Sequence, residues 1–157
     1  TTNRADHAYY FHYWQNSYGK KVITRPLEAV DPEVHKIDTL EQTLDGTVAI
    51  ASGSGEKKGI LLAFSFDGYF DKISTLEYDD EICKVRRLPK KDVFLVGSWG
   101  TLYVVECKQG ILFKATSIND VCSGLIAFIE IGGRDIHIME DEGKEYRRLR
   151  IDADYMD

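Results

Sequence analysis

Long apolar runs, sustained helical periodicity and catalytic signatures are all missing from this chain of 157 residues. No apolar stretch approaches the roughly eighteen residues a membrane-spanning helix needs. The opening Thr1-Thr2-Asn3-Arg4-Ala5-Asp6 lacks the apolar segment of a secretory signal. It also lacks an initiator methionine, which predicts a fragment or a processed product. Cysteine is scarce: Cys83, Cys107 and Cys122 form no C-x-x-C pair, their number is odd, and no histidine stands at ligand spacing from them. These features predict small buried thiols in a reducing compartment, cytoplasmic or nuclear, and no Asn-x-Ser/Thr sequon argues against that.

Basic excess is lacking too. A net charge of −6 and a pI near 5.2 oppose a phosphate backbone as the main partner. The loop Ser52 to Gly59 is rich in glycine and serine, but Lys58 is followed by glycine and a strand, not by Ser/Thr and a helix, so it reads as a hairpin loop and not a phosphate cradle. No nucleophile elbow, Cys–His pairing or dinucleotide fingerprint occurs. His7, His12, His35 and His137 are scattered, which predicts no metal site. Acidic pairs such as Asp79-Asp80 and Glu140-Asp141 sit in turns, where they solubilise; a glycosidase would need two carboxylates facing across a cleft. The expectation is a non-enzyme that needs no cofactor.

What is present is a series of short β-type runs. Val48-Ala49-Ile50-Ala51, Ile60 to Phe64, Val93 to Val96, Leu102 to Val105, Ile111 to Phe113 and Ile136 to Met139 have the length and residue type of strands. The best helical candidate, Leu27 to Lys36, is short and interrupted by Pro32. The fold class is therefore all-β. Turn residues punctuate the runs at regular intervals. Asp45 and Asp92 are 47 residues apart, Asp92 and Asp135 are 43 apart, and Gly68 and Gly110 are 42 apart.

A period in the low forties with four strands per unit is the arithmetic of a propeller blade. Residues 34–76 and 81–116 form full units, 121–151 a partial one, and 9–33 the end of an earlier unit with its linker, all within one β-domain of 1–157. With segments such as Val93-Phe94-Leu95-Val96-Gly97-Ser98-Trp99-Gly100-Thr101-Leu102-Tyr103, the chain resembles the WD40-like β-propeller family. The resemblance covers residues 34 to 151, without Gly-His or Trp-Asp signatures. It implies antiparallel blades of a partial propeller, since closure takes about four blades or more. The alternative is a closed lipocalin-type barrel that binds a small ligand in an apolar cavity.

The resemblance also implies where a partner would dock: the face made by the turns between second and third strands and by the links between blades. That face would gather Lys57, Lys58, Trp99, Asp79, Asp80, Asp120, Glu140 and Asp141. It would be mostly acidic, which predicts a basic peptide or basic protein surface as partner. Tyr9, Tyr10, Phe11, Tyr13 and Trp14 form a dense aromatic run, either a core strand or a seam to another blade or chain. Tyr10 and Trp14 are its candidate contacts. Other protein chains completing or docking on the propeller are the expected partners. Lys84 to Lys91 holds five basic residues in eight, and Arg147-Arg148 with Arg150 is similar; each reads as solvated or carboxylate-paired, or as a surface for an acidic partner.

Overall fold

In the computed structural model the described residues are 2–3, 8–15, 21–66 and 70–152, with side chains described from Pro26 onward. Four antiparallel sheets follow one another along the chain. The first contains β1 (Thr2–Asn3), β2 (Ala8–Gln15) and β3 (Lys21–Pro26). A single helical turn, α1 (Leu27–Val30), leads to the second sheet: β4 (Val34–Gln42), β5 (Val48–Gly55), β6 (Gly59–Ser65) and β7 (Lys72–Tyr78). The third sheet comprises β8 (Lys84–Arg87), β9 (Val93–Gly97), β10 (Leu102–Lys108) and β11 (Ile111–Ile118). The fourth has β12 (Ile126–Gly132), β13 (Asp135–Glu140) and β14 (Tyr146–Arg150).

Every sheet is a simple meander in which sequence neighbours are spatial neighbours. Tight turns make this possible. Between β10 and β11, Gln109 and Gly110 both adopt positive φ, 53° and 82°, the conformation a two-residue hairpin turn demands. The candidate turns at Asn16 to Gly19 and Asp67-Gly68 lie outside the described residues.

The sheets stack face to face. Alternation along each middle strand sends successive side chains into opposite interfaces. On β9, Phe94 and Val96 point into the core shared with the second sheet, beside Ile50, Leu61 and Val105. Val93 and Leu95 point into the core shared with the fourth sheet, beside Ile126, Ile129 and Ile138. A third core joins Leu27 and Val30 of α1 to Ala51, Leu62 and Phe64. Burial on both faces explains why these strands read as unbroken apolar runs.

The four separate sheets overturn the closed-barrel alternative: the strands do not close into one continuous sheet, and apolar cores lie between sheets. The helical candidate is also corrected. Only Leu27–Val30 coils, and His35 and Lys36 belong to β4. The Asp31 carboxylate accepts the Glu33 N–H (3.0 Å) and turns the chain there. The innermost strand of the third sheet begins at Lys84, not Glu81, and β12 begins at Ile126, with 119–125 forming a link.

Polar bonds tie inner strands of adjacent sheets. The Val85 N–H donates to Thr39 Oγ1 (3.1 Å), and the Arg87 N–H to Glu41 Oε1 (3.1 Å). Arg87 Nε donates to the Gln42 carbonyl (2.9 Å), and Arg86 pairs with Glu130 at 3.0 Å. Arg86 and Arg87, two of the five basic residues between Lys84 and Lys91, are thus spent on cross-sheet contacts. The thiols serve packing: Cys107 is buried, and Cys83, half-buried, donates to the Ile126 carbonyl (3.1 Å) with its pKa pushed up to about 11, mainly by burial.

Candidate functional site

The connections at one end of the sheets surround a cleft of about 460 Å³ lined by Ser54, Lys58, Asp80, Glu81 and Trp99. Trp99 occupies the β9–β10 turn. Ser98 is buried and its hydroxyl donates to the Glu81 carbonyl (2.7 Å), while its N–H reaches the Thr101 carbonyl (3.0 Å). Gly100 takes φ 65°, which lets its N–H donate to the Gly124 carbonyl (2.9 Å) and its carbonyl accept from Val121 (2.8 Å). The Ile126 N–H donates to the Ser98 carbonyl (2.9 Å), and Trp99 itself bridges to Leu125. The backbone under Trp99 is thus held by the preceding and following links, yet the residue is 51% exposed. A large aromatic side chain on a fixed base is well suited to bind with little loss of conformational entropy.

Charge surrounds it. The stretches Glu56–Lys58, Asp79–Glu81, Asp120 and Asp141–Glu145 together carry eight carboxylates against three lysines. Lys57 approaches Asp79 at 3.9 Å, and Lys144 pairs with Glu142 at 3.0 Å, both on the surface. Such pairs are weak in water, so the end keeps a net negative field.

Among the anticipated residues, Trp99, Lys58 and Asp80 share the cleft, and Lys57 and Asp79 stand beside it. Asp120 lies in the β11–β12 link with φ 57°, and the Asp141 N–H donates to the Leu125 carbonyl (2.8 Å). Glu140 needs correction as a contact residue. It is buried, and its carboxylate accepts N–H groups of Glu142 (3.0 Å), Lys144 and Glu145 (3.2 Å). The Lys144 N–H leads the causes that hold its pKa below the ordinary value. Glu140 shapes the β13–β14 turn. Tyr10 and Trp14 pair through their backbones with Pro26 and Val22 of β3, and their side chains lie outside the described residues. Ser54 lies inside the expected turn of residues 53–58 but was not singled out; Glu81 was not anticipated, and its only sequence signal is its position next to the expected link.

No family model matches the sequence. No curated protein matches it either. Among solved structures, a chain in the crystal structure of the mitotic checkpoint complex is similar, with a TM-score of 0.62 and 8% identity, over 73% of this chain and 36% of that one. That likeness and the stacked meanders show the fold: an all-β chain of antiparallel, propeller-like blades, not closed into a barrel. The chain spans about a third of that neighbour's length.

Proposed function

We propose that this chain is a non-catalytic scaffold of an intracellular multi-protein assembly, a divergent relative of the WD40-like propellers, whose acidic Trp99 end grips a basic peptide or basic surface of a partner protein. One observation carries the reading: a half-exposed tryptophan on a turn locked from two sides, in a cleft whose other walls include Asp80 and Glu81. Tryptophan is prominent among residues that dominate binding energy, and complementary charge sets the encounter rate and the choice of partner. That the fold neighbour comes from a multi-protein complex agrees with a scaffold role. The free thiols agree with a reducing compartment.

The test is titration of a labelled arginine-rich peptide, followed by anisotropy. Trp99→Ala is expected to weaken binding by about 2 kcal/mol or more, the scale of an interface hot spot. Asp79→Lys with Asp80→Lys is expected to weaken it further at low salt than at high salt. Binding that ignores both changes would sink the proposal.

A further inference from the structure

The outer strands of the second and third sheets are clasped together. Ser74 Oγ on β7 donates to the Gly110 carbonyl (2.7 Å) and accepts the Leu112 N–H (3.2 Å), and Lys114 Nζ donates to the Glu77 carbonyl (3.0 Å). β11 in this way covers β7. The other face of β11 has no equivalent cover among the described residues, where the fourth sheet has three strands, β12 to β14. Phe113 (47% exposed) and Ile118 (39%) stand on that face. Beside them lies an apolar cavity of about 220 Å³, lined by Val104, Thr116 and Ile118 from the third sheet and by Ile136, Leu149 and Ile151 from the fourth.

The edge next to this groove carries an unusual charge for an acidic protein. β14 reads Tyr146-Arg147-Arg148-Leu149-Arg150, and its three arginines make no ion pair among the described residues. β13 occupies one side of β14, pairing Leu149 with Ile136 and Arg148 with His137. The opposite edge has no strand partner among the described residues. An open edge offers unpaired N–H and C=O groups to an incoming strand.

We propose that the free edge of β14 and the uncovered face of β11 form a docking groove for one extended strand of a partner protein, alternating apolar and acidic residues. Its apolar positions would fill the cavity beside Leu149 and Ile118, as β11 covers β7. Its acidic positions would stand beside Arg148 and Arg150, where opposite charges on neighbouring strands attract. This groove is separate from the Trp99 cleft and takes a ligand of the opposite charge.

The probe is a fluorescein-labelled peptide of alternating valine and glutamate, compared with one of valine and lysine. The glutamate peptide is expected to bind the intact chain at least about tenfold tighter, a difference of about 1.4 kcal/mol. The double variant Arg148→Glu, Arg150→Glu should reverse that preference while leaving the arginine-rich peptide at the Trp99 end unaffected. Ile118→Asp should weaken both strand peptides. On binding, the β14 amides that face away from β13 should become protected from exchange. Equal binding of the two peptides, or an unreversed preference in the double variant, overturns the proposal. So does protection of those amides before any peptide is added, whether from the chain's own residues or, rising with concentration, from a second copy.

Discussion

The third and fourth sheets share a core but not a situation. The third is covered on both faces, by the second sheet and by the fourth, and Phe94, Val96, Leu102 and Val105 are wholly buried. The fourth is covered on one face by the third, while Phe128 (45% exposed) and Tyr146 (55%) stand outside that contact. The difference shows that in a stacked meander a strand's burial is set by its neighbours as much as by its own composition. β9 and β13 are both apolar in pattern, yet β9 is buried at every position while β13 alternates with half-buried Asp135, His137 and Met139. Among the described residues, the third sheet is packed on both faces and the fourth on one.

Truncation should expose this contrast most strongly. Phe94→Ala is expected to cost about 3–5 kcal/mol, the usual range for emptying a core phenylalanine. Phe128→Ala should stay within about 1 kcal/mol, as surface changes do. Urea unfolding of the two variants gives the comparison, and equal losses would contradict it.

The seam between the two sheets depends on a missing side chain. A Cβ on Gly97 would lie 2.7 Å from Ile126 Cγ2 and 2.8 Å from the Ile126 carbonyl oxygen. Gly97→Ala should therefore push β12 away from β9 and cost about 1–3 kcal/mol, the range for overpacking. Amide exchange should speed up in β12 and β13 more than in β5 and β6. Uniform acceleration would mean that the sheets open together.

Between the second and third sheets lies a smaller defect. The Tyr78 hydroxyl is buried without a hydrogen-bond partner among the described residues, and burial pushes its pKa far up. Its ring packs 4.5 Å from that of Tyr103, with Lys114 Nζ 4.4 Å from the ring centre. Removing an unsatisfied buried hydroxyl relieves its desolvation cost, so Tyr78→Phe should raise stability, by about 1 kcal/mol. A loss of stability would show that the hydroxyl has a partner.

Acid should act on the fourth sheet through Glu140. Its folded pKa lies below the ordinary 4.5, so its contribution is complete above that value and is lost as pH falls through the folded pKa. Protonation weakens the carboxylate's hold on the N–H groups of Glu142, Lys144 and Glu145. In Glu140→Gln the acid limb of the stability profile should flatten. Asp45, held low chiefly by the Thr47 N–H, gives a second acid-sensitive turn in the second sheet, so a residual slope should remain. An unchanged profile in the variant would remove Glu140 from the account.

Much of the strand plan was legible because doubly buried strands leave continuous Val, Ile and Leu runs. Val93 to Val96 and Ile60 to Phe64 fall inside β9 and β6. Residues 31–36 were harder. They fell both in the helical candidate and, from Val34, in the first unit of the repeat; the strand won, and β4 runs close against Gly53 and Gly55, where a side chain would strike the Lys36 and Glu33 carbonyls. The Trp99 turn was readable from its Ser–Trp–Gly setting, and the propeller resemblance already put Lys58 and Asp80 on its face; Glu81 was not readable. Ser54 and Glu81 meet Trp99 only because successive sheets stack. Glu140 and Asp141 look alike as sequence; the N–H groups that curl around one carboxylate decide which of them is buried.

Under the proposed function, a basic partner binds at the Trp99 end of the blades. The opposite end, with Lys90, Lys91 and Arg134 in its turns and Lys108 at the end of β10, is the natural control. The most direct measurement is an amide-shift map recorded while an arginine-rich peptide is added to the isotope-labelled chain. Shifts are expected to gather at residues 54–58, 79–83 and 98–101, with none at 88–92, 108–110 or 132–134. Shifts centred on the second group, or spread evenly over both ends, would contradict the proposed function.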